Sequence, residues 1–217
     1  MVFFMETSEK IPHPVIRRLP KYLVHVQELR EEDVEWASSQ DIADALGLTS
    51  STVRQDLSHM DLRGISKKGY ETSQLEAVLR QVLGADIMHR VVIIGAGHLG
   101  RALAEHGAFG RRGFEICGLF DRDERLIGQS FGTVDVMSMD TLAEQARNVK
   151  IDIGIIAVPS SAAQEVAEQL SAAGVKAILN LAYKHVKVPE GVTVVDARIM
   201  ESLQELAYVL GKKQKEN

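Results

Sequence analysis

The sequence lacks the features that mark secreted and membrane-bound proteins. It holds a single cysteine, Cys117, so no disulfide can form within the chain. No apolar run approaches the length that crosses a bilayer, and the first residues have neither the basic segment nor the long apolar core of a secretory signal. These absences predict a cytoplasmic protein without a membrane anchor.

An excess of positive charge is missing as well, because 25 Lys and Arg residues stand against 30 Asp and Glu residues. The net charge of −5 therefore gives no sign of a nucleic-acid partner. Any DNA-binding surface must come from local clusters of basic residues. Two such clusters are Arg17, Arg18 and Lys21, and then Arg54, Arg63, Lys67 and Lys68.

What is present is the composition of a globular protein that can bury a core, with 45% hydrophobic and 25% charged residues. A chain of 217 residues suits a small domain followed by a medium one. The pattern changes near Asp86. We predict a winged-helix DNA-binding domain over residues 1–84, a Rossmann domain over residues 85–198 and a C-terminal helix over residues 199–217.

The first domain carries the pattern of a helix-turn-helix. Ser38 and Ser39 can cap a helix over residues 40–46, and Gly47 ends it. A cluster of N-cap candidates then precedes a second short helix over residues 53–60. The short turn between the two helices has the spacing of this motif.

Two longer helices flank the motif, and a basic hairpin follows it. Residues 15–29 have apolar side chains at helical spacing, and Pro20 must lie in the first turn of that helix or bend it. Residues 64–70 read as a tight hairpin, which makes the motif a winged helix. Residues 73–83 form the last helix of the domain.

The second helix of the motif offers side chains that can read DNA. Arg54 can bond guanine and Gln55 can bond adenine in the major groove, while the hairpin suits phosphates or the minor groove. The expected DNA contacts are Arg17, Ser50, Ser51, Thr52, Arg54, Gln55, Ser58, Lys67, Lys68 and Tyr70. The alternative is a helical dimerisation domain whose basic residues lie on solvated faces.

In the second domain strands alternate with helices, which predicts an α/β fold with a mostly parallel, doubly wound sheet. The predicted strands are residues 91–94, 114–120, 134–136, 151–158, 176–180 and 192–195. The predicted helices are residues 99–109, 141–147, 161–173 and 199–210. The run 91–94 is β-branched throughout, as in a strand buried on both faces.

A glycine-rich turn follows the first of these strands and opens a helix. Gly95 permits a tight turn, Gly97 lets the backbone approach a pyrophosphate, and Gly100 lets the helix pack on the strand. Asp121 ends the next strand, where its carboxylate can bond a ribose diol and repel the 2′-phosphate of NADP. Arg122 weakens that preference. The motif predicts NAD⁺/NADH as the cofactor.

Two alternatives remain open at this site. The turn could belong to a degenerate Rossmann domain that binds nothing, or it could bind another nucleotide such as a coenzyme A moiety. Val158 and Pro159 end the fourth strand, at the edge of the sheet where ligands bind. Pro159 could equally be the first residue of an ordinary helix.

The chain offers little material for an enzyme. About 20 residues follow the sixth strand, too few for a substrate domain. His98, His106 and His185 are candidate acids, yet nothing pairs with them at triad-like spacing, and clusters of metal ligands are absent. Binding without turnover is therefore favoured. The rivals are a small NAD(P)-dependent oxidoreductase with an added helical domain, and a dinucleotide-responsive module that binds another protein.

The order of the motifs matches a known family over nearly the whole chain. The matching segments are residues 11–12, 18–22, 38–39, 53–58, 69–70, 95–103, 113–114, 120–121, 157–159, 174–180 and 195–196. With them the sequence resembles the Rex family of redox-sensing transcriptional repressors. The resemblance implies a homodimer whose C-terminal helix is exchanged into the partner's Rossmann domain. It also implies DNA binding that NADH releases and NAD⁺ permits.

The resemblance also assigns site residues and shows departures from the family pattern. Asp196 matches the family aspartate that senses the cofactor. His106 stands at the position of its tyrosine partner, Ala197 replaces a bulky residue, and Gln55 replaces a lysine. The expected cofactor contacts are Gly95, Ala96, Gly97, His98, Leu99, Gly100, Asp121, Arg122, Val158, Pro159, Asn180, His106 and Asp196. The expected DNA partner is an operator with an AT-rich inverted repeat.

The switch itself is expected at Asp196. If this carboxylate meets His106, it favours the charged imidazole, and the pair becomes sensitive to the added charge of an oxidised nicotinamide. The alternative is that Asp196 only caps the terminal helix.

Overall fold

The computed structural model describes residues 11–60 and 62–215 of the chain. Its contacts divide the chain into an N-terminal unit, Met1–Ile87, and a C-terminal unit, Met88–Asn217. This boundary lies close to the predicted one between residues 84 and 85. None of the helices in the described part of the chain combines the length and the apolar character that a membrane span requires.

The N-terminal unit is mainly helical. Its helices are α1 (His13–Ile16), α2 (Leu19–Glu31), α3 (Ser39–Leu46), α4 (Ser50–Ser58) and α5 (Thr72–Val82). Its strands β1 (Trp36–Ala37) and β2 (Tyr70–Glu71) form an antiparallel pair that the sequence did not predict. The helix predicted over residues 15–29 is divided, because Pro20 lacks the N–H that would bond back to Ile16 and lies instead in the first turn of α2.

Side-chain caps define the two helices of the helix-turn-helix, which confirms this motif. The hydroxyl of Ser38 accepts from the backbone N–H of Asp41, and the Asp41 carboxylate accepts from the N–H of Ser38. Gly47 ends α3 with φ at +65°, in the left-handed region that glycine adopts without strain. Thr49 caps α4 by accepting from the N–H of Thr52.

The basic hairpin after α4 is a tight turn with one bridge between Ile65 and Gly69. A side chain at Gly69 would overlap the carbonyl oxygen of Ala37, so this close approach requires glycine. Tyr70 follows at once and is 8% exposed, because its ring packs into the core of the unit. The predicted DNA contact from Tyr70 is therefore wrong: its ring supports the hairpin from within.

The C-terminal unit is a sheet with helices. Its strands are β3 (His89–Ile94), β4 (Phe114–Asp121), β5 (Ser130–Phe131), β6 (Val134–Ser138), β7 (Ile153–Ile156), β8 (Ala177–Asn180) and β9 (Thr193–Asp196). Its helices are α6 (His98–Ala104), α7 (Ala108–Arg111), α8 (Leu142–Asn148), α9 (Ala163–Ala172) and α10 (Ile199–Lys215), with a 3-10 turn at Met139–Thr141.

The sheet has the strand order β5-β6-β4-β3-β7-β8-β9. All neighbouring pairs are parallel except β5 with β6. The order reverses at β3, whose neighbours β4 and β7 lie on opposite sides of it, and a crevice for ligands forms at such a reversal. The doubly wound α/β fold is confirmed.

Some predicted elements differ from the observed ones. The helix predicted over residues 99–109 is two helices, because the chain breaks at Gly107, and glycine weakens a helix interior. The helix predicted to end at Leu210 continues to Lys215, since lysine and glutamine are good helix formers. The edge strand β5 was not predicted.

The central strand β3 and the last helix α10 differ in how far their apolar side chains are buried. Val91, Val92, Ile93 and Ile94 of β3 are each at most 2% exposed, so this strand is covered on both faces as predicted. In α10 the apolar side chains are at least 46% exposed. They are Ile199, Met200, Leu203, Leu206, Tyr208, Val209 and Leu210. The last helix thus presents an apolar surface that its own chain leaves uncovered.

Candidate functional site

The glycine-rich turn after β3 has the geometry that each glycine was predicted to provide. Gly95 has φ at +108°, and a side chain on it would meet the carbonyl oxygen of Ala157 at 2.5 Å. A side chain on Gly100 would overlap the carbonyl oxygen of Gly95, so α6 can approach the strand only with glycine here. Around Gly97 nothing lies within 4 Å of that position. The turn is closely packed beneath and open above, as a backbone that receives a phosphate must be.

Asp121 ties the end of β4 to this turn. Its Oδ2 accepts from the backbone N–H of Ala96 at 2.6 Å, and its Oδ1 accepts from the N–H groups of Arg122 and Asp123 at 2.7 and 2.9 Å. Ala96 itself is fully buried. Carboxylate oxygens have further lone pairs, so the group can hold the turn and still accept from a ribose.

A pocket of about 250 Å³ opens beside the turn. It is lined by Ile94, Gly95, Gly97, Asp121, Arg122, Met139, Ala157, Val158, Pro159, Ala162 and Val166. Val158 and Pro159 therefore lie where the sequence placed them. Because α9 begins at Ala163, Pro159 is not the first residue of a helix, and that alternative is wrong.

The start of α6 is accessible to solvent. His98 begins the helix directly after Gly97, and the side chain of Leu99 is 47% exposed. Backbone N–H groups in the first turn of a helix have no partner within the helix. In α6 these N–H groups lie beside the open side of the glycine turn, where they can donate hydrogen bonds to a ligand.

A second polar cluster lies at the carboxyl ends of β8 and β9. The Asp196 carboxylate accepts from Asn180 Nδ2 at 2.7 Å and lies 3.0 Å from His185 Nδ1 and 3.1 Å from Arg198 Nη2. Burial opposes the ionised form of Asp196. The Asn180 hydrogen bond and the charges of Arg198 and His185 outweigh that effect and hold its pKa below the usual value.

Arg198 links this cluster to the last helix. Its side chain is 10% exposed, stands over the ring of Tyr183, and forms an ion pair with Glu201 in the first turn of α10. Arg198 was not among the predicted site residues. A signal was present in its position, because it stands between a strand end and a helix start.

His106 does not join the Asp196 cluster in the single chain. It lies between α6 and α7, where its ring contacts Phe109 edge-on at 6.0 Å between centroids. Within the described residues, the carboxylate of Asp196 is paired with His185 and Arg198 instead. The condition for the expected switch, that Asp196 meets His106, is therefore not fulfilled by the contacts of Asp196 within one copy of the chain.

In the N-terminal unit, α4 presents its predicted DNA-reading side chains to solvent. Arg54, Gln55 and Ser58 are exposed. Arg54 Nη1 donates to Ser39 Oγ at 3.1 Å, a contact that holds the guanidinium near the start of α3. Ser51 is exposed at the start of α4, with Ser50 and Thr52 half-buried beside it.

The other basic residues that were predicted to contact DNA lie on two further surface segments. Lys67 and Lys68 are exposed in the hairpin turn, and the Lys68 ammonium stands 3.7 Å from the centroid of the Trp36 ring. This cation–π contact fixes the turn against β1. Arg17 is exposed directly after α1.

The inner face of α4 carries a residue that the sequence analysis missed. Asp56 is 2% exposed and accepts two bonds from Arg18, each at 2.7 Å, and one from the Tyr22 hydroxyl at 2.6 Å. Burial opposes ionisation of Asp56, but the bonds from Arg18 and Tyr22 outweigh it and lower its pKa. The signal lay in its spacing, since Asp56 follows Val53 by three residues and so shares its buried face.

The two sites define a class of protein, in which a helix-turn-helix unit with polar side chains on its second helix precedes a Rossmann unit with a dinucleotide turn. Comparisons with known proteins agree with both halves. Residues 10–58 match the family model "Putative DNA-binding protein N-terminus", and residues 86–183 match the family model "CoA binding domain".

Relatives of nearly equal length give the family. The chain is 37% identical to the redox-sensing transcriptional repressor Rex of Clostridioides difficile over 203 residues, which cover 94% of this chain and 97% of that protein. It is also similar to RSP, a Rex-family repressor. The structure of RSP with beta-NAD+ and operator DNA matches with a TM-score of 0.89 and 36% identity over 95% of each chain. The structure of RSP with beta-NADH gives 0.87 and 36%, over 95% of this chain and 97% of that one.

The chain belongs to the Rex family of redox-sensing transcriptional repressors. The resemblance inferred from the motifs is thereby confirmed. Because the relatives are named as repressors, the oxidoreductase alternative is set aside.

Proposed function

We propose that this protein is a dimeric repressor whose binding to operator DNA is set by the balance of NADH and NAD⁺, with NADH releasing it. One observation carries the proposal. The same chain combines exposed Arg54 and Gln55 on α4 with a glycine turn held to Asp121, and a relative that matches it over nearly its whole length is named as a redox-sensing repressor. A repressor of chromosomal genes acts in the cytoplasm, which is the location we propose.

The residues present fit the dinucleotide of this proposal. The open backbone at Gly97 and the N–H groups in the first turn of α6 would receive the pyrophosphate. Asp121 would accept from the hydroxyls of the adenosine ribose, and Val158 and Pro159 would line the wall of the pocket. When bound, the nicotinamide supplies one positive charge that is present in NAD⁺ and absent in NADH.

Coenzyme A is the alternative occupant, and it is the ligand named in the matching family model. Its adenosine carries a phosphate on the ribose. The Asp121 carboxylate at the end of β4 would repel that phosphate, whereas it would bond a free diol. The site therefore favours a dinucleotide with an unmodified ribose.

The DNA side of the proposal assigns two kinds of contact. Arg54 and Gln55 would bond base edges, while the other exposed or half-buried polar residues would bond phosphates and position the helix. These positioning residues are Arg17, Ser50, Ser51, Thr52, Ser58, Lys67 and Lys68. An inverted repeat suits a dimer, since the symmetry of the operator mirrors that of the protein, and we propose that this repeat is rich in AT pairs.

The uncovered surface of α10 supports the dimer. Seven of its apolar side chains are exposed in the single chain, and a contiguous apolar surface of this kind marks an interaction site. We propose that α10 packs against the Rossmann unit of a second copy, as the family resemblance implied. The same exchange would bring a second chain to the polar cluster at Asp196.

Release by NADH requires a difference in affinity. NADH must bind the form that cannot hold DNA more tightly than the form that can, or no population shifts. The negative charge of Asp196, with His185 and Arg198 beside it, is the group we assign to sense the charge of the nicotinamide.

The test is DNA binding by fluorescence anisotropy, with a labelled inverted repeat and a scrambled duplex of the same composition. NAD⁺, NADH and coenzyme A are titrated separately. We expect tight binding to the repeat alone, release by NADH, and little effect of NAD⁺ or coenzyme A. Failure to bind any duplex would favour the protein-binding module, and release by coenzyme A alone would reassign the pocket.

A further inference from the structure

The rim of the dinucleotide pocket carries an ion pair that joins two elements. Arg122 follows β4 directly, and its Nη2 donates to Glu165 Oε1 on α9. Gln169, one turn further along α9, also donates to Glu165 Oε1, at 3.4 Å. The guanidinium of Arg122 is thereby held across the rim towards α9, beside the pocket that Arg122 helps to line.

This pair bears on a question that the sequence left open. An acidic residue at the end of the second Rossmann strand bonds the ribose diol of NAD, whereas an arginine nearby accommodates the 2′-phosphate of NADP. Here both stand side by side, as Asp121 and Arg122. The outcome depends on whether the Arg122 guanidinium is free to meet a phosphate.

The Arg122 guanidinium is already engaged by a carboxylate. The pKa of Arg122 is raised above its usual range, mainly by its hydrogen bond to Glu165 and further by the charges of Glu165 and Asp140. The next arginine, Arg125, is bonded to Asp123. Each of these two cations thus has a carboxylate partner.

We propose that Glu165 is a specificity-determining residue that excludes 2′-phosphorylated dinucleotides by engaging Arg122. The proposal rests on the proposed dinucleotide function of the pocket. Glu165 acts in two ways: it satisfies the one cation adjacent to Asp121, and it adds a negative charge near the position that a 2′-phosphate would take. Asp121 alone would leave Arg122 available to compensate for its repulsion.

The expected effect is modest because the pair is half-exposed. Exposed ion pairs change a binding constant by up to about five-fold. Replacement of Glu165 should therefore tighten NADPH by about five-fold and leave NADH within about two-fold.

The experiment measures Kd for NADH and NADPH by calorimetry with the full chain and four variants. Glu165→Gln removes the charge and keeps the size of the side chain. Glu168→Gln is the matched control, because Glu168 is exposed on the same helix and is bonded by Gln164 rather than by Arg122. The others are Arg122→Ala and the double variant Glu165→Gln/Arg122→Ala.

We expect the ratio of the NADPH and NADH constants to fall in Glu165→Gln, to stay unchanged in Glu168→Gln, and to return towards the parental value in the double variant. An unchanged ratio in Glu165→Gln, or an equal fall in Glu168→Gln, would overturn the role of Glu165 while NADH binding stands. Absence of NADH binding in the parental protein would overturn the proposed function and this inference together.

Discussion

The carboxylates of Asp56 and Asp196 are each bound by an arginine, one in the N-terminal unit and the other in the C-terminal unit. The Asp56 side chain is 3% exposed and the Asp196 side chain is 25% exposed. Both carboxylate oxygens of Asp56 accept hydrogen bonds from Arg18 in a bidentate arrangement. The Asp196 carboxylate instead contacts an amide, an imidazole and a guanidinium.

The difference in exposure indicates that the two carboxylates have different roles. A buried, fully bonded carboxylate is costly to disturb, so Asp56 holds α4 in one position against α2. A carboxylate that water reaches can exchange partners at low cost, which suits a group that responds to a ligand or a second chain. Helix α4 is thus held firmly, and the end of β9 at Asp196 is held loosely.

The largest expected effect comes from removing the arginine of the buried cluster. Arg18→Met leaves Asp56 buried without its ion-pair partner, and we expect a loss of about 3 kcal/mol in the free energy of unfolding. Urea denaturation measures it. Arg17→Met is the control, since Arg17 is exposed and its loss should cost under about 0.5 kcal/mol. Equal losses in the two variants would mean that the Arg18 cluster does not anchor α4.

The second prediction concerns the outer face of the same helix. Arg54→Ala should lose about 1–3 kcal/mol of binding free energy on the operator if Arg54 reads a guanine, with little change in stability. Lys68→Ala should weaken all duplexes alike and reduce the salt dependence of binding. Affinities measured by fluorescence anisotropy on specific and scrambled duplexes, at several salt concentrations, distinguish the base contact of Arg54 from the phosphate contact of Lys68. An equal loss on both duplexes in Arg54→Ala would make Arg54 a phosphate contact.

The third prediction uses acid to compare folded and unfolded protein. Because the pKa of Asp56 is lowered in the folded state, its contribution to stability is complete above the unfolded pKa of about 3.9 and is lost as the pH falls through the folded pKa. Stability should therefore fall steeply below about pH 4. In Arg18→Met that fall should shrink, because burial without the arginine raises the pKa of Asp56. Parallel stability curves for both proteins would contradict this account.

The smallest effect is expected at the sheet edge. Asp196→Asn keeps the shape of the side chain and removes its charge, and we expect a stability change under about 1 kcal/mol, since the group is partly solvated. The same variant should narrow the gap between the NAD⁺ and NADH affinities, measured by calorimetry, and should leave the dimer intact in sedimentation. An unchanged affinity ratio would place redox discrimination elsewhere in the chain.

Short-range patterns were enough to predict much of this molecule. The capped helices around Gly47 and the β-branched run of β3 follow from residues close together in the chain, and the structure confirms them. The break at Gly107 and the burial of Tyr70 escaped prediction. The break at Gly107 is a local effect of glycine, whereas the burial of Tyr70 depends on what packs against its ring, which local spacing does not contain.

The sequence by itself determined the alternation of strands and helices, the helix-turn-helix, and the glycine turn with Asp121 at the end of β4. It could do so because periodicity, caps and glycine conformations act over a few residues. Only the tertiary structure decided which charges meet. Asp56 is bonded by Arg18 from 38 residues away, and Arg122 by Glu165 across 43 residues. Such pairs form where the packing of helices and strands brings distant segments together, and no local pattern records that distance.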